Sequence, residues 1–322
     1  MWSAAIALLV GVMLWQGFSL DDARRGFAAA GVLGVLAITA FHLVPLILDA
    51  IAWQLLLPSG STLTLAQACF ARWIGEAVSA LVPASTVGGE LARVRVAAVI
   101  GLRAPVAGAS VLVDLTLATI TQVVFSIAGV AALFHLSGDG GGMVAQIAIG
   151  VTVFAVLIAG FLAIQLGAPL RRLAALLGPM VGERARDRMI HNARLADGVL
   201  TAIYAQHHSL IASAIWRLAG WVAGAGEFWL GLYLLGHPIG LVEAVMLESL
   251  VQAARSAAFI VPAGLGVQEA TLVGLGTTIG VPAEAALALS LLKRSRELLL
   301  GVPGLVAWTV LERRGRAAAK AA

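Results

Sequence analysis

Cysteine occurs once in the 322 residues, at Cys69. A single thiol excludes an internal disulfide framework and any multi-cysteine zinc centre. Histidine occurs six times, and no H-E-x-x-H pattern is present, so a helix-borne zinc protease site is excluded too. Charge is scarce, at 12% of residues, about half of the roughly 25% usual in globular domains. The alternation of apolar and polar residues that marks membrane barrel strands is also missing. What remains is apolar: 60% of residues are hydrophobic and the mean hydropathy is +0.97. A water-soluble fold of this length cannot hide that much apolar surface. The sequence therefore predicts an all-α polytopic integral membrane protein, with the bilayer as solvent.

A helix needs about 20 apolar residues to cross the hydrocarbon core. On that rule full spans are expected at roughly 2–18, 27–57, 105–136, 143–168, 210–236 and 283–311. Trp2 to Phe18 lacks a charged leading region and an A-x-A cleavage site, which predicts a retained span, not a removed signal peptide. The formal net charge of +4 is concentrated in 169–209 (Arg171, Arg172, Arg184, Arg186, Arg188, Arg194) and in the tail (Arg313, Arg314, Arg316, Lys320). Positive charge in loops faces the cytoplasm. This places 169–209 and both termini on the cytoplasmic side of an inner membrane, with no nucleic-acid partner expected. Leu170, Leu173, Leu176 and Leu177 recur at helical spacing. They suggest a solvated connector lying partly along the membrane surface, or alternatively a lipid-headgroup site.

Two apolar stretches, about 65–104 and 243–281, are broken. Each carries ionisable residues, then Val-Pro-Ala (Val82-Pro83-Ala84 and Val261-Pro262-Ala263), then a glycine-containing loop and a second short piece. Proline interrupts a helix and glycine permits a tight reversal. Each stretch reads as a helical hairpin that enters the membrane and returns, or as two shortened crossings. The two match at one constant offset of 179 residues: Pro83 falls on Pro262, Glu90 on Glu269, Gly101 on Gly280 and Leu112 on Leu291. The chain thus divides into a first repeat at about 27–136, a joining span and connector at about 143–205, and a second repeat at about 206–315, all within one transmembrane domain (1–322). One joining span between two such units makes the repeat inverted, an arrangement that houses transporter sites near the midplane.

The charges within these stretches define the candidate site. Arg72 and Glu76 are four residues apart and share a helix face, as do Lys293 and Glu297, with Arg294 and Arg296 beside them. Glu248, Gln252 and Arg255 share a face in the second hairpin. Asp114 lies ten residues into its span, and Arg217 and Glu227 lie within another. A charge at the bilayer centre costs about 2.5–3.5 kcal/mol on insertion scales, so such groups must pair or face water. In repeat register Glu76 falls on Arg255 and Asp114 on Lys293, which suggests opposite charges meeting across the two halves. Such pairs either hold the halves together or bind a headgroup. The loops after Pro83 and Pro262 offer backbone N–H groups at a helix start, where an anion is favoured. The glycines there serve close packing equally well. No metal, nucleotide or nucleophile–base constellation is present, so neither a cofactor nor catalysis is expected.

The run Pro83-Ala84-Ser85-Thr86-Val87-Gly88-Gly89-Glu90-Leu91-Ala92-Arg93 resembles the P-x4-G-G-E-x2-R element of the lysylphosphatidylglycerol synthase transmembrane-region family. Val261-Pro262-Ala263-Gly264-Leu265-Gly266-Val267-Gln268-Glu269 resembles its P-x-G-L-G-x-x-E element, and Asp114 with Lys293-Arg294-Ser295-Arg296-Glu297 resembles further family features. The first element departs from the pattern at Ala84 and Ser85, where glycine is often found. The resemblance covers nearly the whole chain. It implies lipid handling: the membrane domain moves a lipid between leaflets, while a separate cytoplasmic synthase does the chemistry. With the chain ending at Ala322, no synthase domain and no transferase activity are expected. The second element is similar to that of a stand-alone, hopanoid-biosynthesis-associated subgroup.

The expected function is therefore a flippase whose partners are a phospholipid, glycolipid or hopanoid substrate and lipid-synthesis enzymes. The alternatives are a membrane-embedded headgroup enzyme and a non-transporting assembly partner. The substrate-binding residues expected are Arg72, Glu76, Glu90, Arg93, Asp114, Arg255, Glu269, Lys293, Arg294, Arg296 and Glu297.

Overall fold

The computed structural model describes residues 20–58, 60–61, 63–82, 85–137, 149, 152, 156, 183–257 and 266–321. The spans expected at 2–18 and 143–168, the residues Pro83 and Ala84, the loop 258–265 and the leucines of 170–177 lie outside the described residues. Among the described residues the regular structure is entirely α-helical: α1 (Leu20–Phe41), α2 (Leu43–Gln54), α3 (Leu65–Leu81), α4 (Ser85–Val99), α5 (Ala104–Ser137), α6 (Glu183–Tyr204), α7 (His207–Leu234), α8 (Leu241–Ala257), α9 (Val267–Thr278) and α10 (Ala283–Ala321).

Two of these are long and apolar enough to cross a membrane: the 25-residue stretch Ala30–Gln54, formed by α1 and α2, and the 33-residue stretch Ala104–Leu136 of α5. The other two spans expected in the described region are helical but more polar. Helix α7 carries Arg217 and Glu227 among glycines and tryptophans, and α10 carries four charges at 293–297. The Ala30–Gln54 stretch breaks at His42, between α1 and α2. Pro45, three residues on, has no N–H to give to the Phe41 carbonyl, so the ladder cannot run through unbroken. The region expected as a solvated connector is, over 183–204, a helix with one face docked. Ala196, Leu200 and Ile203, at helical spacing, are buried with Ala109, Val113 and Leu117 of α5.

Each of the two broken stretches holds a pair of short helices packed on one another, α3 with α4 and α8 with α9. Helix boundaries recur at the 179-residue spacing: α4 and α9 end at Val99 and Thr278, and α5 and α10 begin at Ala104 and Ala283. Both stops use the same device. Gly101 and Gly280 take positive φ (116° and 81°), and the Leu102 and Val281 amides donate to the Ala97 and Gly276 carbonyls at 2.9 Å. A left-handed glycine carries such a helix stop without the penalty a Cβ would bring.

Apolar packing forms two main clusters. The first gathers Trp53, Ala68, Ile74, Val96 and Val106; the second gathers Phe125, Phe228, Leu247, Leu272 and Leu289. Large apolar side chains such as Leu33, Val124, Ile211, Ile215 and Leu241 are exposed, as a lipid-facing surface requires. Within the first hairpin, α3 and α4 approach through glycine. A Cβ on Gly89 would overlap the Ser79 hydroxyl and the Gly75 carbonyl. Gly89→Ala is therefore expected to destabilise the protein by about 1–3 kcal/mol through overpacking. Gly108→Ala, which meets nothing within 4 Å, should leave stability unchanged or raise it. Thermal unfolding in detergent compares the two.

Candidate functional site

The charged side chains form one continuous buried network in two parts. The first is centred on Asp114, which is 1% exposed on α5. Three guanidinium groups converge on it: Arg93 Nη1 of α4 at 2.8 Å, Arg72 Nη1 of α3 at 3.6 Å, and Arg217 of α7 in direct hydrogen bond. Asp49 of α2 is the second anion here, 2.5 Å from Arg72 Nη2 and 3.0 Å from Arg217 Nη1. Glu76 lies 3.2 Å from Arg72 Nε, and Glu90 lies 3.0 Å from Arg93 Nη2. Neither of these last two contacts has hydrogen-bond geometry. Arg72 Nε, Arg93 Nε and Nη2, Arg217 Nε and Asp49 Oδ1 thus remain buried without a hydrogen-bond partner among the described residues. Arg93 also stacks over the Trp53 ring at 4.9 Å, which ties this part to the first apolar cluster.

The second part is centred on Glu227 of α7, which is 2% exposed. Arg296 Nη1 of α10 donates to both its oxygens, at 2.9 and 2.7 Å, and Lys293 Nζ stands 4.0 Å away. Lys293 also donates to Glu248 of α8 at 3.1 Å and lies over the Phe228 ring at 3.9 Å. Glu297 bridges onward, 3.7 Å from Arg296 and 3.9 Å from Arg255. From Arg255 the chain of polar contacts passes to Gln268 at 3.0 Å, to Ser290 at 2.9 Å and to Glu269 at 3.0 Å. It ends on Arg294, which donates to Glu269 at 2.7 Å. Glu269 also accepts the Gly266 amide at 2.8 Å. At the start of α9, then, a carboxylate of the chain itself takes the N–H that was expected to face an anion.

His42, in the break between α1 and α2, joins the two parts. Its Nε2 lies 3.3 Å from Glu76 and its Nδ1 lies 2.5 Å from Glu227. Among the described residues the network holds eight carboxylates (49, 76, 90, 114, 227, 248, 269, 297) and seven fixed cations (72, 93, 217, 255, 293, 294, 296), with one histidine between. Buried charges of this number are tolerated only because almost every one has an opposite partner.

All eleven residues singled out from the sequence are in this network: Arg72, Glu76, Glu90, Arg93 and Asp114 in the first part, and Arg255, Glu269, Lys293, Arg294, Arg296 and Glu297 in the second. The pairing differs from that expected. Glu76 does not meet Arg255, and Asp114 does not meet Lys293. Asp114 is neutralised by arginines of α3, α4 and α7, and Lys293 by carboxylates of α7 and α8. The cause is that α7 contributes charges with no counterpart in the first repeat, since Arg217 and Glu227 fall in register on Ile38 and Leu48.

Sequence reasoning left Arg217, Glu227 and Glu248 out of the site and passed over His42 and Asp49. The signal for the last two was available. They are the only ionisable residues between 30 and 58, and at seven residues apart they share a helix face.

The accessible members of the network are few. Glu76, Glu90, Glu269 and Arg255 have side chains 35%, 27%, 26% and 30% exposed, while the other charges sit deeper. Among the described residues no cluster of His, Cys, Asp and Glu is arranged to hold a metal ion. No curated protein and no solved structure matches the chain. A family model does match, over residues 2–304, and it describes the lysylphosphatidylglycerol synthase TM region. The match agrees with the two paired motifs, the apolar helices and the charged interior. The chain belongs to the family of the lysylphosphatidylglycerol synthase TM region, a membrane family connected with lipid handling.

Proposed function

We propose that the protein is a flippase of the inner membrane, moving a phosphate-bearing, polar-headgroup lipid between leaflets without altering it chemically. The observation that carries this reading is the set of buried guanidinium N–H groups on Arg72, Arg93 and Arg217 that have no hydrogen-bond partner among the described residues, beside the partly exposed Glu76 and Glu90. Unsatisfied donors on buried cations call for an acceptor that comes and goes. A lipid phosphate is such an acceptor, and the exposed carboxylates suit an amine or hydroxyl on the same headgroup.

The hairpins favour a site within the membrane. At about 1.5 Å per residue, the 17 residues of α3 and of α8 span roughly 25 Å, and the 12 of α9 roughly 18 Å. These lengths fall short of a 30 Å hydrocarbon core, which favours re-entrant hairpins over full crossings. Together with the matched helix stops they support a repeat within a single transmembrane domain, and the basic residues of 169–209 and of the tail favour cytoplasmic termini. Lipid-synthesis enzymes, including those of hopanoids, are the partners this reading suggests.

Reconstitution tests the proposal. Liposomes containing the purified protein should exchange acyl-labelled phosphatidylethanolamine, phosphatidylglycerol or lysyl-phosphatidylglycerol between leaflets at least tenfold faster than empty ones, with no change in lipid mass. Glu90→Gln and Glu269→Gln should each lower exchange at least tenfold with helical content intact. No acceleration with any of the three lipids would sink the transport reading, and a change in lipid mass would favour an enzyme.

A further inference from the structure

His42 occupies a position with conflicting demands. Its Nδ1 is 2.5 Å from Glu227 Oε1 and its Nε2 is 3.3 Å from Glu76 Oε2. Both partners are carboxylates, so each requires an N–H on the ring. Yet Arg296 Nη1 closes on the same Nδ1, and a guanidinium can only donate. One nitrogen cannot give a proton to Glu227 and accept one from Arg296. Two arrangements resolve the conflict. In the neutral ring, Nε2–H faces Glu76 and the Nδ1 lone pair takes Arg296. In the charged ring, both nitrogens donate to carboxylates, and Arg296 withdraws wholly to Glu227 Oε2, already 2.7 Å from its Nη1.

The surroundings set the balance between the two. On α3 the ring faces Glu76, with Arg72 behind it; on α7, Glu227, with Arg217 further along; on α10, Arg296, flanked by Lys293 and Glu297. Asp49 follows on α2, and α1 has no titratable residue from 30 to 41. Among the described residues the network around the ring has eight carboxylates against seven fixed cations, one positive charge short while His42 is neutral. In a medium of low dielectric an odd buried charge is costly. It can be met in two ways. A proton on His42 balances the network, and so does a cationic headgroup reaching Glu76, which is the most exposed carboxylate of those compared above and shares its oxygen with His42.

We propose that His42 is a proton-carrying site and that the protein exchanges one proton for one lipid of net positive headgroup charge, whose amines outnumber its phosphate. The proton is taken from water on one face of the membrane onto the Nδ1 lone pair and held between Glu227 and Glu76. When the headgroup ammonium takes Glu76, the proton leaves to water on the other face and Arg296 returns to Nδ1. No covalent bond of the lipid is made or broken. This inference rests on the transport reading above and adds the coupling ion to it.

The test uses the full-length protein in liposomes with a pH difference of one unit, a pH dye inside, and acyl-labelled phosphatidylethanolamine, lysyl-phosphatidylglycerol and phosphatidylglycerol. One-for-one exchange of charge drives lysyl-phosphatidylglycerol, which is net cationic, to about a tenfold leaflet ratio. It should also move protons only when that lipid is present and leave phosphatidylethanolamine, whose phosphate cancels its ammonium, and phosphatidylglycerol evenly distributed. His42→Gln should abolish the gradient response, and His207→Gln, outside the network, should keep it. Lysyl-phosphatidylglycerol that exchanges yet ends evenly distributed despite the gradient overturns the proton site and leaves flippase activity standing. Absence of exchange overturns both. Should His42→Gln fail to fold, the wild-type dye trace decides alone: lipid-dependent proton movement supports the site and its absence overturns it.

Discussion

Asp114→Leu is expected to cost about 3–5 kcal/mol, enough to unfold many membrane proteins in detergent, because it leaves buried cations uncompensated. Asp114 is 1% exposed and takes Arg93 at 2.8 Å and Arg217 directly, with Arg72 at 3.6 Å. Among the described residues those guanidiniums have few other anions: Asp49 serves Arg72 and Arg217, Glu76 stands 3.2 Å from Arg72, and Arg93 retains Glu90, at poor angle. The second substitution Arg217→Met in the same chain removes one of the stranded charges and should recover part of the loss, since apolar replacements of a buried pair are often near neutral. Thermal unfolding of both variants in detergent, followed by tryptophan fluorescence, measures the coupling. Equal midpoints for wild type and Asp114→Leu would show that Asp114 is not the counterion the geometry makes it. A variant that folds but no longer exchanges lipid would place Asp114 in headgroup binding.

Glu227→Leu is the second large effect expected, again about 3–5 kcal/mol. Glu227 serves three partners on three elements: Arg296 at 2.7 Å, His42 at 2.5 Å and Lys293 at 4.0 Å. Its removal leaves Arg296 with Glu297 at 3.7 Å alone and also cuts the link through His42 between the two halves. Glu248→Leu should cost less, because Lys293 then keeps Glu227 and its stacking on Phe228. The ranking of Glu227→Leu below Glu248→Leu in thermal midpoint, with recovery by Arg296→Met only in the first case, is the outcome that checks this. The exposed pair Arg95–Glu312, at 2.7 Å, should be nearly silent, as solvent-exposed ion pairs contribute about 0–1 kcal/mol.

Much of the helical layout could be read from local chemistry. The long apolar run at 105–136 marked α5, and Arg72 and Glu76 at four residues apart do meet at 3.2 Å. The docking of α6 was obscured because arginines dominate its composition, while its apolar face at Ala196, Leu200 and Ile203 is narrow. Charges could be identified, but their partners could not. Repeat register relates positions in the two halves without saying which helix lies between them, and α7 supplies Arg217 and Glu227 from the middle. His42 and Asp49 were lost in a run so apolar that two polar residues left its average almost untouched; burial and distance, not composition, give them their weight.

The close seat of α3 has a consequence in time. Its indole at Trp73 donates to the Leu300 carbonyl of α10 at 2.9 Å, and Gly301 and Gly304 of α10 admit Leu81 and Ala77 at separations no larger residue would allow. One wall of this helix is thus made by residues synthesised about 200 positions later. At about 5–20 residues per second, that wall is absent for roughly 10–40 s. During that interval α3, with Arg72 and Glu76 on it, must shelter against its own hairpin partner or the insertion machinery. A substitution at Gly89 or Gly304 would therefore act on the yield of inserted protein before it acts on the stability of what has been inserted.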